Sequence, residues 1–169
     1  MITEEYRNQL EQLHTQRDDF GRSGSQWAHA CINLCAILET NDVLDYGCGK
    51  AELNLSLPFG VKCYDPAIYK YRDAPNPADL VFCTDVLEHI EPEQLDAVIA
   101  DLVRVTKRIG VFAIHTGPAK KTLPDGRNAH LIQRPGKWWK NKLERSFGVR
   151  DEQMVNPVTY LITVEPKGD

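Results

Sequence analysis

Two aspartates on either side of a glycine turn are the residues with the clearest chemical potential. Asp45 ends the apolar run that begins at Val43 and precedes the turn containing Gly47 and Gly49, and Asp65 follows about 20 residues later. A carboxylate at the first position repels a diphosphate but attracts an ammonium or sulfonium group. A carboxylate at the second position has the spacing that accepts hydrogen bonds from ribose hydroxyls. The pair predicts a site for a nucleoside with a positively charged, phosphate-free tail.

S-adenosylmethionine is the common cofactor that has this description. The third glycine of the dinucleotide fingerprint is missing, because Glu52 stands at its position, and this argues against NAD. Either aspartate alone is as consistent with a helix cap or a turn. Their combination with the two glycines favours the cofactor site.

Alternating strand and helix patterns must position these residues. Short apolar runs predict strands at 42–45, 60–64, 80–83 and 110–115, and helical periods predict helices at 3–16, from 27 to 38 and from 92 onward. A final strand pair is expected at 149–154 and 158–164. Strands that alternate with helices predict an α/β fold, a Rossmann-like doubly wound and mostly parallel sheet with helices on both faces. The closing pair can add one antiparallel strand.

Composition bounds the remaining classes. The 169 residues, 42% hydrophobic and 26% charged with a net charge of −4, predict one ordinary domain and exclude a disordered or collagen-like chain. No apolar run reaches membrane-spanning length and the first ten residues lack a signal-peptide core, so we expect a cytoplasmic protein without a membrane partner. Five scattered cysteines indicate a reducing compartment. Cys31 and Cys35 lack a second ligand pair, and the sequence predicts no metal site.

Three segments resemble the class I S-adenosylmethionine-dependent methyltransferases: 43–49, the acidic strand end at 64–66, and the run at 85–90. The resemblance covers about 42–116, and the segments 20–24 and 123–130 resemble a compact branch met in phage and bacterial genomes. It implies a methyltransferase with a seven-stranded sheet whose last strand is reversed. Within a single domain, 1–169, it implies an N-terminal helical cover (1–40), a cofactor-binding half (41–116) and a substrate-side loop, helix and strand pair (117–169).

The resemblance also assigns roles to residues at the strand ends. Main chain of the glycine turn lies against the methionine part, Asp45 binds its ammonium, Asp65 holds the ribose, and Asp85 with Val86 lines the other side. The implied cofactor contacts are Asp45, Tyr46, Gly47, Gly49, Asp65, Pro66, Asp85 and Val86. The stretch 66–79 leaves little room for the family's third strand, so no residue is assigned to the adenine.

Other residues are predicted from their own chemistry. Arg22, in the linker 18–24, has the guanidinium fork that suits the methionine carboxylate, although an exposed loop arginine is the alternative. His115 and His130 are the candidates for a base or substrate contact, the alternative being histidines satisfied by backbone hydrogen bonds. Arg127 is predicted to bind an anionic substrate group, with Asn128 beside it.

The charge distribution suggests what is methylated. From 117 to 150 there are nine lysines and arginines against two acids, a local charge of +7. Because few residues lie outside the catalytic core, we expect oxygen or nitrogen of a small, anionic acceptor. Trp138 and Trp139 beside these basic residues leave open an RNA or single-stranded nucleic-acid substrate. A non-catalytic binding module on the same fold also stays open, and the oligomeric state is not predicted.

Overall fold

The computed structural model describes residues 2–168. Within this range one sheet of six strands runs through the molecule. The strands are Val43–Tyr46 (β1), Lys62–Tyr64 (β2), Ala78–Thr84 (β3), Thr106–His115 (β4), Phe147–Asn156 (β5) and Thr159–Pro166 (β6). All four residues of β1 and nearly all of β3 are buried, as expected for parallel strands covered on both faces.

The strand order β2-β1-β3-β4-β6-β5 reverses direction between β1 and β3. Strands β1 to β4 are parallel to one another, whereas β6 is antiparallel to both β4 and β5. The prediction of a mostly parallel α/β sheet with a reversed last strand is confirmed. The carboxyl ends of β1 and β3 flank the reversal, which is where doubly wound sheets bind ligands.

Helices cover both faces of this sheet. They span Glu4–Gln16 (α1), Ala28–Leu38 (α2), Glu52–Leu55 (α3), Leu95–Val105 (α4) and Gly136–Leu143 (α5). Alternate strand residues point to opposite faces, so Val43 and Phe82 pack with α2 while Leu44 and Phe112 pack with α4 and α5. Two apolar layers therefore hold the strand ends in fixed positions.

The first helix closes one end of the molecule. The Thr3 hydroxyl accepts a hydrogen bond from the Tyr6 amide, which caps α1. Tyr6 and Leu13 face inward and pack against Leu123 and Ala129 of the loop between β4 and α5. The Tyr6 hydroxyl also donates to the His89 carbonyl oxygen. The helix thereby joins the loop to the carboxyl end of the sheet.

The expected seventh strand is absent from residues 2–168, so the predicted strand count is wrong. The chain between β2 and β3 instead folds back on itself, because the Asp65 amide donates to the Tyr71 carbonyl oxygen at 2.9 Å and a short 3-10 turn spans Tyr69–Tyr71. Pro75 and Pro77 then lack the N–H groups that a further strand would need. β2 consequently forms one edge of the sheet.

Among the helices formed by residues 2–168, none combines the length and apolar character needed to cross a membrane.

Candidate cofactor and acceptor site

A cavity of about 410 Å³ lies at the carboxyl ends of β1 to β4, beneath α1. This volume falls in the range typical of small-molecule sites. The structure brings together here all the residues that the sequence analysis assigned to the cofactor and the two candidate histidines. They are Arg22, Asp45, Tyr46, Gly47, Gly49, Asp65, Pro66, Asp85, Val86, His115 and His130.

The glycine turn leaves β1 with its amides directed at a neighbouring strand. The amides of Gly47 and Cys48 both donate to the Tyr64 carbonyl oxygen, at 2.7 and 3.0 Å. Gly47 has a φ of +79°, and a Cβ there would lie 2.3 Å from a methyl carbon of Val86. Only glycine satisfies both conditions, so the turn can bring its main chain against the cavity.

Residues 17–22, which we call the strap, cross over this turn from the end of α1. The Gly21 carbonyl oxygen accepts a hydrogen bond from the Lys50 amide at 2.8 Å. The Lys50 ammonium group donates to the carbonyl oxygens of Arg17 and Asp18 at 3.0 and 3.1 Å. The strap therefore forms a wall of the cavity that is tied to the glycine turn.

Asp45 is a buried carboxyl group with an unpartnered oxygen. The residue is 3% exposed, and its Oδ2 has no hydrogen-bond partner among the described residues. Burial raises the pKa of Asp45 to about 7, and the nearby Asp65 carboxylate adds to the increase. A positively charged ligand group in the cavity would stabilise the ionised form.

Asp65, at the end of β2, is held in a fixed orientation by main chain. Its Oδ2 accepts from the Gly49 amide at 3.0 Å and its Oδ1 from the Ala67 amide at 2.9 Å. Burial raises the pKa of Asp65, while the neighbouring His14 and these two amides oppose the increase. Each carboxylate oxygen keeps a further lone pair, which suits a pair of vicinal hydroxyls.

Arg22 lines the cavity, but its guanidinium group is engaged elsewhere. Its Nε donates to Glu52 Oε1 at 2.7 Å, across the start of α3. The Arg22 side chain is about half exposed, so the pair is solvent-screened and of small energetic value. The role predicted for Arg22 toward a carboxylate requires exchange of this partner.

Three histidines form a contiguous group in the lining of the cavity. The ring centroids of His130 lie 4.7 Å from those of both His89 and His115. Nδ1 of His89 is 2.8 Å from the Ala129 carbonyl oxygen, and Nδ1 of His130 is 2.8 Å from that of Gly117. Burial lowers the pKa of His130 and lowers that of His89 to about 4, so both rings are neutral at pH 7.

The two predicted substrate residues lie away from the cavity lining. Arg127 pairs with Asp125 at 2.7 Å on the surface. The Asn128 side chain accepts from the amides of Ala119 and His130 and donates to the Ala119 carbonyl oxygen, so it braces its own loop. The basic residues of this loop that line the cavity are Lys120 and Lys121, and Arg127 is not among them.

Sequence reasoning did not assign several cavity residues. His14 on α1 approaches Asp65, and its ring packs against Phe20 of the strap with centroids 4.7 Å apart. Tyr6, Leu10 and His14 recur at helical spacing, and this period was the available signal. Glu88 gave no such periodic signal. It lies below the cavity surface, where its Oε1 accepts a hydrogen bond from the His115 amide at 2.7 Å.

No family model matches the chain, and no curated protein sequence does. Solved structures do match it over nearly the whole length. The 1,6-didemethyltoxoflavin-N1-methyltransferase of Burkholderia thailandensis, solved with S-adenosylhomocysteine, is 18% identical, with 97% of this chain and 90% of that chain covered and a TM-score of 0.63.

Two further matches are methyltransferases with other names. Magnesium protoporphyrin IX methyltransferase from Synechocystis is 15% identical, with 96% and 97% covered and a TM-score of 0.60. The N-methyltransferase NodS from Bradyrhizobium japonicum is 12% identical, with 96% and 100% covered and a TM-score of 0.61. All three structures hold S-adenosylhomocysteine. The chain has the fold of the class I S-adenosylmethionine-dependent methyltransferases.

Proposed function

We propose that this protein is an S-adenosylmethionine-dependent methyltransferase that methylates oxygen or nitrogen of a small, anionic acceptor. The observation that carries the proposal is the unpartnered, buried carboxyl group of Asp45 at the switch point of the sheet. An unpaired buried carboxylate is costly, and a cationic ligand removes that cost. Structures of the same fold that hold S-adenosylhomocysteine support the choice of ligand.

The residues of the cavity fit the cofactor group by group. Asp45 binds the methionine ammonium, and the two free lone pairs of Asp65 accept from the ribose hydroxyls. The main chain at Gly47 and Gly49 lies against the methionine part, with Val86 on the other side. S-adenosylmethionine supplies a methyl group on a positively charged sulfur. The strap and α1 cover this end and exclude water.

Methyl transfer demands little covalent chemistry from the protein. The nucleophile must lie in line with the sulfur–methyl bond, about 3 Å from the carbon, in a site shielded from solvent. His115 and His130 both line the acceptor side of the cavity, where His115 can take a proton from the acceptor. Lys120 at the same cavity supplies a positive charge for an anionic acceptor.

Two features favour a small acceptor over nucleic acid. Trp139 is fully buried in the core, so the tryptophan pair does not provide two stacking surfaces. Five of the nine basic residues between 117 and 150 pair with acids, which reduces the charge available for phosphates. The pairs are Lys121 with Asp19, Arg127 with Asp125, Lys140 with Glu152, Lys142 with Asp96, and Arg150 with Glu165.

Calorimetric titration with S-adenosylmethionine and S-adenosylhomocysteine tests the cofactor. Both ligands should bind the wild-type chain, and Asp45→Asn should weaken both, because the amide cannot neutralise the ammonium. Asp151→Asn is the matched control, since Asp151 is exposed on β5 far from the cavity. Absence of binding by both ligands, or equal affinity in the two variants, contradicts the proposal.

A screen for the acceptor then follows with methyl-labelled cofactor. Pools of small carboxylates and phosphate esters are compared with short RNA and single-stranded DNA. Label incorporated into a small anion supports the proposal, whereas label incorporated only into nucleic acid replaces the proposed acceptor class.

A further inference from the structure

Four side chains with metal-ligating atoms converge on the acceptor side of the cavity. Asp85 lies at the end of β3, Glu88 and His89 lie in the 3-10 turn that follows, and His130 comes from the loop between β4 and α5. One oxygen or nitrogen of each lies within 4.8 Å of the others. The cysteine pattern gives no sign of this cluster, which also needs a residue from a distant loop.

The two histidines are oriented as metal ligands are. Each has Nδ1 at 2.8 Å from a backbone carbonyl oxygen, of Ala129 for His89 and of Gly117 for His130. A carbonyl only accepts, so Nδ1 carries the proton and Nε2 of each neutral ring keeps its lone pair. A backbone carbonyl on the second nitrogen is the usual support of a metal-bound imidazole.

The carboxylates provide an independent indication. Glu88 is fully buried, its Oε1 accepts from the His115 amide at 2.7 Å, and its Oε2 has no partner within the described chain. Asp85 has a φ of +62°, a conformation that non-glycine residues rarely adopt, and its amide is anchored to the Ala113 carbonyl oxygen at 2.8 Å. Backbone strain of this kind is concentrated at functional sites. Two adjacent carboxylates, one of them inaccessible to water, need a cation or a shared proton.

We propose that Asp85, Glu88, His89 and His130 bind one divalent transition-metal cation. Two imidazoles with two carboxylates suit Mn²⁺, Fe²⁺, Co²⁺ or Zn²⁺ better than Mg²⁺ or Ca²⁺, which prefer oxygen ligands alone. Asp85, His89 and His130 line the cavity, so a cation held by them would be within reach of a ligand in its interior.

The cation also specifies the acceptor, an inference that rests on the proposed function. Held by these four residues, the cation would bind a hydroxyl or carboxylate oxygen of the acceptor and would favour an oxygen nucleophile, because a metal lowers the pKa of a bound hydroxyl. The hydroxyl proton passes to His115, which lies beside His130. The oxygen then forms a bond to the methyl carbon while the carbon–sulfur bond breaks. The electron pair of the broken bond stays on the sulfur, which becomes a neutral thioether.

Titration with Mn²⁺ alone, followed by electron paramagnetic resonance, tests the site. Protein freed of metal with a chelator should bind one equivalent of added Mn²⁺, so the signal of free Mn²⁺ should be absent up to that ratio. Pulsed spectra of the bound Mn²⁺ should show couplings to imidazole nitrogens. His130→Ala and Asp85→Asn should each weaken binding by about tenfold or more. Asparagine tolerates the left-handed conformation at position 85, so that variant keeps the fold. His29→Ala, which removes an exposed histidine on α2, is the control.

Absence of stoichiometric Mn²⁺ binding, or unchanged affinity in both His130→Ala and Asp85→Asn, overturns the metal site. Calorimetry with S-adenosylhomocysteine in chelator separates this result from the proposed function. Retained cofactor binding without Mn²⁺ binding refutes only the metal site, and the reverse refutes only the methyltransferase assignment.

Discussion

Gly49 and Gly21 approach so closely that a Cβ on Gly49 would lie 2.5 Å from the Gly21 carbonyl oxygen. This approach brings the strap onto the glycine turn, and the Gly21 carbonyl oxygen then accepts from the next amide, that of Lys50. The end of the cavity that the strap and the glycine turn form exists because two glycines from distant parts of the chain allow this contact.

Gly49→Ala should therefore destabilise the chain and weaken cofactor binding. The added methyl group collides with main chain, and the φ of +51° is strained for alanine, so we expect a loss of about 1–3 kcal/mol in the free energy of unfolding. Denaturant unfolding measures it. Gly60→Ala is the control, since no atom lies within 4 Å of its Cβ position. Equal stability of the two variants would show that the strap does not rest on the turn.

Asp65→Ala should lower the affinity for S-adenosylhomocysteine by about tenfold or more. The change removes the acceptors proposed for the ribose hydroxyls and also leaves the amides of Gly49 and Ala67 without partners. Titration calorimetry measures the affinity, and Asp65→Asn separates the two effects, because its amide oxygen keeps one acceptor. An unchanged dissociation constant in Asp65→Ala would remove this residue from the cofactor site.

Cofactor affinity should rise about fivefold between pH 6 and pH 7.5. The pKa of Asp45 is raised to about 7, so the carboxylate becomes ionised across this interval, while most of the ligand's α-amino group, with a pKa of about 7.8, remains protonated. Titrations at several pH values measure the slope. Asp45→Asn should bind weakly with a flat profile. A wild-type profile as flat as that of the variant would contradict a charge interaction at Asp45.

The ligand-free chain should show the opposite dependence in its stability. A carboxyl group whose folded-state pKa is raised contributes stability that is complete below its unfolded pKa, near 4, and is lost as the pH rises through about 7. At pH 8 Asp45→Asn should therefore be more stable than the wild type, by at most about 4 kcal/mol. Denaturant unfolding of both proteins at pH 5 and pH 8 checks the sign, and a stability difference that does not shift in favour of Asp45→Asn toward pH 8 would refute it.

Tyr6→Phe should loosen α1 without disturbing the sheet. The change deletes the hydrogen bond from the Tyr6 hydroxyl to the His89 carbonyl oxygen and leaves that oxygen unpaired, at a cost of about 1 kcal/mol. Amide hydrogen exchange should accelerate in α1 and remain unchanged in β3. Tyr69→Phe, at an 80% exposed position, is the control. Uniform acceleration throughout the chain would show that α1 does not move as a separate element.

The strand-end acids were predictable because their signals are local. Asp45 and Asp65 each follow a short apolar run, and parallel strands bring their carboxyl ends to one edge. The strand count was not predictable from the resemblance, since prolines and a turn that closes on Asp65 replace the expected strand. The sequence indicated the shortage of residues there but not the resulting conformation.

The acceptor side was less predictable because its contacts join distant segments. Glu88 meets His130 only when the loop after β4 folds back under α1, and no periodic pattern records that return. Arg127, a loop arginine, was predicted to bind an anionic substrate group, but it pairs with Asp125, two residues earlier. Local sequence therefore identifies charged groups more readily than it identifies which of them remain available.

The loop from 116 to 135 contacts the 3-10 turn that follows β3 and reaches the cavity through Lys120 and His130, whereas Asp45, Asp65 and the strap come from the first 65 residues. The two ends of the pocket are thus encoded by separate stretches of chain. Substitutions in the later stretch should therefore change one end of the pocket and leave the other intact, so replacing residues 116–135 is a direct way to alter that end alone.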